Sequence, residues 1–101
     1  MIPRRVVRSP EADRDIEALL DYIAENSGPQ RSLRVIAGLR SFIESLALAS
    51  RRGTDRSDLL PGMRTLGYRG WLTIAFVVSD EAVTVLRVFP RGRDWESEFD
   101  G

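Results

Sequence analysis

Arg87, Arg91 and Arg93 are the residues of this chain best placed to do chemistry. The first sits inside the apolar run Val83-Thr84-Val85-Leu86-Arg87-Val88-Phe89, and the others follow in Pro90-Arg91-Gly92-Arg93-Asp94-Trp95. A guanidinium at a strand end seeks anions, because its planar fork matches a carboxylate or phosphate with two parallel hydrogen bonds. All 15 Lys+Arg residues are arginine, and histidine and cysteine are absent. A coding preference for arginine would give the same composition. With the usual proton-transfer groups missing beside these arginines, the segment is suited to binding rather than to breaking bonds. The lack of cysteine also excludes disulfides, a thiolate nucleophile and a cysteine zinc site, and no cofactor or metal motif appears.

The 101 residues are enough for one domain, 1–101, with a single core and no second lobe. A hydrophobic fraction of 43% and a charged fraction of 30% place it among globular chains. No apolar run approaches the roughly 20 residues that span a bilayer, and Met1-Ile2-Pro3-Arg4-Arg5 does not lead into a signal-peptide core. A cytoplasmic location without membrane association is expected. The net charge of zero conceals sorting: acids crowd Glu11–Glu25 and Asp94–Asp100, while Arg51, Arg52, Arg56, Arg64, Arg69, Arg87, Arg91 and Arg93 lie between.

These side chains need elements to position them. A short strand is expected over 4–8. Ser9-Pro10-Glu11-Ala12 then reads as a helix start, with Ser9 as N-cap, Pro10 at the first helical position and acids near the positive end of the dipole. Ala12, Ile16, Leu19, Leu20 and Ile23 mark its apolar face, with the acids on the other. Asn26-Ser27-Gly28-Pro29 ends it tightly. A second helix is expected over 29–49, with Leu33, Ile36, Leu39, Ile43 and Leu46 on one stripe and Gly38 hinting at a close helix crossing. Residues 50–58 read as a loop.

Three strands are expected next: 63–68, 71–78 after an Arg69-Gly70 turn, and 82–89 after Ser79-Asp80-Glu81. Both alternating sets of 71–78 are apolar, as in a central strand covered on both faces. Val83, Val85, Arg87 and Phe89 share a face by simple alternation, so Arg87 needs a partner or an exit to solvent. The fold class is α+β, in the order β-α-α-β-β-β, with a helical hairpin packed on a mainly antiparallel sheet.

Arg8-Ser9-Pro10-Glu11-Ala12, Asp21-Tyr22-Ile23-Ala24, Ser27-Gly28, Leu60-Pro61-Gly62-Met63-Arg64 and the run Val85 to Asp94 appear in an order that resembles the ParE/RelE superfamily of bacterial toxins. The resemblance covers nearly the whole chain. It implies a toxin of a type II toxin-antitoxin, or plasmid stabilisation, system, neutralised by a cognate ParD-like antitoxin. Two activities are known in the superfamily. RelE-like members cut messenger RNA on the ribosome, using basic groups with a proton-transfer residue. ParE-like members act on DNA gyrase without catalysis of their own. Pro90 stands here where many relatives carry histidine, and Val77 where ribonuclease relatives often have a basic residue. The reading is therefore closer to ParE: a gyrase inhibitor with no catalytic residues. A RelE-type endoribonuclease and an inactive antitoxin-binding relative are the alternatives.

On the gyrase-directed reading, Arg64, Arg87, Arg91 and Arg93 would contact the target or acidic antitoxin side chains. The plainer reading has Arg87 and Arg93 pairing with Asp94 or Glu96 at the sheet edge, for about 0 to 1 kcal/mol each. Trp95 either anchors a partner or folds back over the core. The antitoxin would lay an amphipathic helix and an extended tail over the toxin. Zero net charge and an acidic first helix argue against direct nucleic-acid binding.

Overall fold

Two helices lie on one face of a five-stranded sheet in the computed structural model, which describes residues 3–92 and 94–99. In chain order the elements are β1 (Arg5–Arg8), α1 (Pro10–Ser27), α2 (Pro29–Glu44), β2 (Thr54–Asp55), β3 (Met63–Tyr68), β4 (Leu72–Val78) and β5 (Ala82–Pro90), with 3-10 turns at Ser45–Ala47 and Glu96–Phe99. The strand order is β1-β5-β4-β3-β2. Neighbours run antiparallel except β1, which is parallel to β5. This is the α+β arrangement expected from the sequence, with the two-residue β2 added from the segment read as loop.

Helix α1 starts where its first residues require. Ser9 Oγ accepts from the Ala12 N–H at 3.0 Å and donates to Leu86 O at 2.7 Å, so the cap also ties the helix to the sheet. Pro10 and the acids Glu11 and Asp13 occupy the first turn. Ala12, Ile16 and Ile23 are buried, and Leu19 and Leu20 half-buried. The next helix departs from expectation in three ways. It ends at Glu44, the chain tightening into the 3-10 turn instead of continuing to 49. Leu33 is exposed and Ser32 takes the inward position, made tolerable by donating to Leu20 O at 2.6 Å. Gly38 faces the sheet rather than a helix crossing: a Cβ there would lie 3.0 Å from the Tyr68 hydroxyl.

The helix-side core joins Ala12, Ile16, Ile36, Leu39 and Ile43 to Leu72, Ile74, Phe76, Val83 and Val85. Each large aliphatic side chain buried there contributes about 1.5–3 kcal/mol. The opposite face of the sheet has its own smaller cluster, Met63, Ala75 and Phe89, covered by Leu59, Leu60, Trp95 and Phe99. That cover explains why both sets of β4 are apolar. The β3–β4 hairpin turns at Arg69 (φ 52°) and Gly70 (φ 76°), two positive-φ positions in succession, the geometry a two-residue hairpin favours.

Simple alternation fails along β5. Ala75 pairs with Arg87 but Phe76 with Val85, so Leu86 is an extra residue and the strand's faces exchange there. Val83 and Val85 join the helix-side core while Phe89 joins the other cluster, and the face expected to carry Val83, Val85, Arg87 and Phe89 together is split.

Candidate functional site

The bulge sits where β1 runs out. Arg8 pairs with Val85, and beyond that register the outer edge of β5 has no strand beside it among the described residues. Side chains of the cap and of α1 take over: Ser9 Oγ reaches Leu86 O, and Asp15 accepts from the Val88 N–H at 2.9 Å. The same carboxylate accepts from Arg87 Nε at 2.8 Å and Nη2 at 3.0 Å, a bidentate pair with side chains only 15% and 22% exposed. Arg87 Nη1 also donates to Glu98 at 3.2 Å, and its guanidinium lies 4.7 Å from the Phe89 ring centroid. Asp15, and after it Glu98, hold the Arg87 pKa above the ordinary arginine value. Its acid partners are thus Asp15 and Glu98, not Asp94 or Glu96. Asp15 is therefore not on a solvated acidic face.

The other candidates lie apart. Arg64 Nε donates to Arg52 O at 2.9 Å and Nη2 to Gly53 O at 3.3 Å, fastening the segment that carries β2. Arg91, at the far end of β5, donates from Nη1 to Gly70 O at 2.9 Å. Arg93 lies outside the described residues. Trp95 folds back onto the sheet, its ring near-parallel to Phe89 at 6.3 Å, edge-on to Phe99 at 6.2 Å and beneath the Arg56 guanidinium at 5.1 Å. Arg56 bridges this tail to the preceding loop through Asp58 at 3.0 Å and Glu96 at 2.9 Å, and both contacts raise its pKa. Arg87 and Trp95 thus both pack against Phe89, while Arg64 and Arg91 lie elsewhere, each of the four in contact with this chain's own atoms.

Open surface with convergent side chains lies elsewhere. A cleft of about 700 Å³ opens between the helical hairpin and the β3–β4 turn, lined by Tyr22, Asn26, Arg31, Arg34, Tyr68, Arg69 and neighbours, with no carboxylate among the described residues that line it. Arg31 and Arg34 make no ion pair or hydrogen bond among the described residues. Arg69 donates from Nε to the Tyr68 hydroxyl at 3.2 Å and sits over the same ring. A second hollow of about 390 Å³, mostly apolar, adjoins it between α1 and the β4–β5 strands, lined by Asp15, Ala18, Leu19, Leu72, Val88 and Pro90. Tyr22 and Trp71 belong to both. Tyr22 is 65% exposed, a large aromatic left at the junction. The sequence reading passed over this site, although Arg31 and Arg34 stand three apart on α2, close enough to share a face.

The chain has identifiable relatives. The family described as the ParE toxin of the type II toxin-antitoxin system parDE matches residues 6–95. Toxin ParE3 of Caulobacter vibrioides is 30% identical over 84 residues, 83% of each chain. A chain of the chromosomal ParDE TA system from P. aeruginosa superposes with a TM-score of 0.74 at 23% identity, covering 86% of this chain and 95% of that one. A chain of the RelBE2 toxin-antitoxin complex from Mycobacterium tuberculosis gives a TM-score of 0.66 at 26% identity, over 92% and 97%.

Proposed function

Because this chain belongs to the ParE toxin family of type II toxin-antitoxin systems, we propose that it disables DNA gyrase by binding it in the cytoplasm, and that a ParD-like antitoxin holds it inactive. The pair would stabilise the replicon that encodes it. The relatives support the antitoxin half: one solved neighbour comes from a ParDE system and another from a toxin-antitoxin complex. The gyrase half rests on the chemistry of the strand end. Cutting RNA there would need a group able to move protons beside the cations that hold the phosphate. Pro90 has no such group, and the guanidinium of Arg87 is already held by two carboxylates of its own chain. Tyr68 is 6% exposed, packed against Phe42 and hydrogen-bonded through its hydroxyl to Arg69. What remains is a toxin that works by occupying a surface.

Expression of the chain alone, with plasmid supercoiling and messenger decay followed side by side, tests this reading. Loss of negative supercoiling with intact messengers is expected, reproduced by purified gyrase and reversed by co-expression of a ParD-like antitoxin. Cleaved messengers with gyrase unaffected would instead make the protein a ribosome-dependent ribonuclease. Normal growth with both processes intact would leave only an antitoxin-binding relative.

A further inference from the structure

We propose that the cleft between the helical hairpin and the β3–β4 turn is a small-molecule site for a nucleoside di- or triphosphate, with the phosphates on Arg31, Arg34 and Arg69 and the base on Tyr22 and Trp71. The inference depends on neither the gyrase nor the antitoxin reading.

Two local preferences of the backbone are overridden here, and both exceptions serve one guanidinium. Arg69, at φ 52°, is the one residue other than glycine with a positive φ among the described residues. The first position of such a two-residue turn favours Asn, Asp or Gly, because a Cβ crowds the backbone in the left-handed region. Across the cleft, Gly38 stands inside α2, where only proline is a poorer choice. Tyr68 fills the space that this glycine leaves: a Cβ on Gly38 would come 3.0 Å from the tyrosine hydroxyl. That hydroxyl accepts from Arg69 Nε at 3.2 Å, and the guanidinium lies 5.6 Å from the centroid of the same ring. A helical glycine, a buried tyrosine and a left-handed arginine therefore hold one cation at the wall of the cleft. Local preferences are given up in this way chiefly at functional sites.

The rest of the lining narrows the ligand. Arg31 and Arg34 face the same cleft from α2, and the stretches 26–38 and 68–71, which supply most of its wall, contain no acid. Three guanidiniums in one concave place offer more donors than a single carboxylate can accept, whereas a chain of phosphoryl groups spreads its charge over enough oxygens to meet all three. Tyr22 and Trp71 add aromatic faces to the same wall, and Ile23 and Val35 add apolar surface. Aromatic faces beside guanidiniums are what a planar base joined to phosphates requires. The volume, about 700 Å³, is in the range of small-molecule sites. A polynucleotide fits less well, since its backbone needs an extended basic track, and the exposed Asp21 and Glu25 flank Tyr22 and Asn26 along α1.

The test titrates the purified full-length chain with ATP and GTP, and in parallel with adenosine, inorganic tripolyphosphate and a single-stranded DNA oligonucleotide. Binding is read by calorimetry and by quenching of tryptophan emission. At least one nucleotide should bind saturably below about 1 mM, more tightly than tripolyphosphate, while adenosine should not bind. Trp71→Phe should remove the quench and keep most of the calorimetric affinity. Arg31→Gln, Arg34→Gln and Arg69→Asn should each weaken binding about tenfold. Arg69→Asn should also leave the melting temperature unchanged or raised, because asparagine suits the left-handed turn better. Tyr68→Phe should weaken binding about threefold in the wild-type chain and not at all in the Arg69→Asn background, the mark of a side chain that acts by positioning Arg69.

Absence of saturable nucleotide binding, or affinity unchanged in an Arg31→Gln, Arg34→Gln double variant, would overturn the site. Tripolyphosphate binding as tightly as the nucleotides would overturn the place given to the base. An oligonucleotide that binds more tightly than either nucleotide would make the cleft part of a polynucleotide surface instead. A melting temperature that falls in Arg69→Asn would show that the arginine serves the turn and not a ligand.

Discussion

Replacing Asp15 with alanine should destabilise the protein more than any other change to its surface carboxylates. Three hydrogen bonds end on this side chain: two from Arg87 and one from the Val88 N–H on an edge that has no neighbouring strand. Breaking a fully buried ion pair by removing one partner costs about 3–5 kcal/mol, and an exposed pair is worth about 0–1. Exposures of 15% and 22% put this pair nearer the buried limit without reaching it. Adding the orphaned amide gives about 2–4 kcal/mol, or roughly 10–25 °C in melting temperature for a chain of this size. Asp15→Asn keeps an acceptor for Val88 and loses only the charge, so it should cost about half as much. Urea unfolding followed by circular dichroism measures both, and a double-mutant cycle with Arg87→Met should give a coupling of at least about 1 kcal/mol. Growth inhibition should fall in step with stability, equally for Asp15→Ala and Arg87→Met. A cost below about 0.5 kcal/mol for Asp15→Ala, or strictly additive effects, would refute the idea that this pair closes the sheet edge. Toxicity lost in Arg87→Met at unchanged stability would return that arginine to the target interface.

Three further outcomes are expected. Asp58 is held below its ordinary pKa by the hydrogen bond from Arg56, and Asp55 by its hydrogen bonds from Ser57; a lowered folded pKa stabilises above the unfolded value and is lost as pH falls through the folded one. With no histidine or cysteine to titrate between, the melting temperature should stay level from about pH 5.5 to 8.5 and decline only below about pH 4. Ser32→Ala should cost about 1 kcal/mol in urea unfolding, while Leu33→Gln one position on should change stability by less than about 0.5, because only the serine is buried and bonded. Trp95→Ala should cost about 1.5–3 kcal/mol and speed proteolytic trimming of the tail, as the ring covers Phe89 from the side away from the helices.

Local signals carried much of the fold. Ser9 and Pro10 declare the start of α1, the three-and-four spacing of its apolar residues gives the buried face, and Arg69-Gly70 supplies the hairpin turn. Failures arose where distant residues decide. Leu33 and Ser32 stand one position apart, and only the carbonyl of Leu20 on the other helix makes the serine the better occupant of the interior. The extra residue at Leu86 leaves no mark in a period-two pattern, because apolar residues flank it on both sides. Asp15 looked like one acid among many on a wet helix face, since its arginine is 72 positions away. The arginine cleft was least legible of all: its walls come from α1, α2 and the β3–β4 turn, and each piece alone reads as ordinary polar surface.

The placement of β5 between β1 and β4 has a consequence for how the toxin comes into being. Synthesis delivers β1 and the helical hairpin first and β2 to β4 next, but these two groups share no strand pairing until the last long strand arrives to join them. Val83, Val85 and Val88 of the helix-side core, and Val88 and Pro90 of the apolar hollow, all arrive with it. A ribosome partway through the message therefore holds a chain that cannot complete its sheet. The fold closes only near the end of the protein's own translation, when β5 enters between its two neighbours.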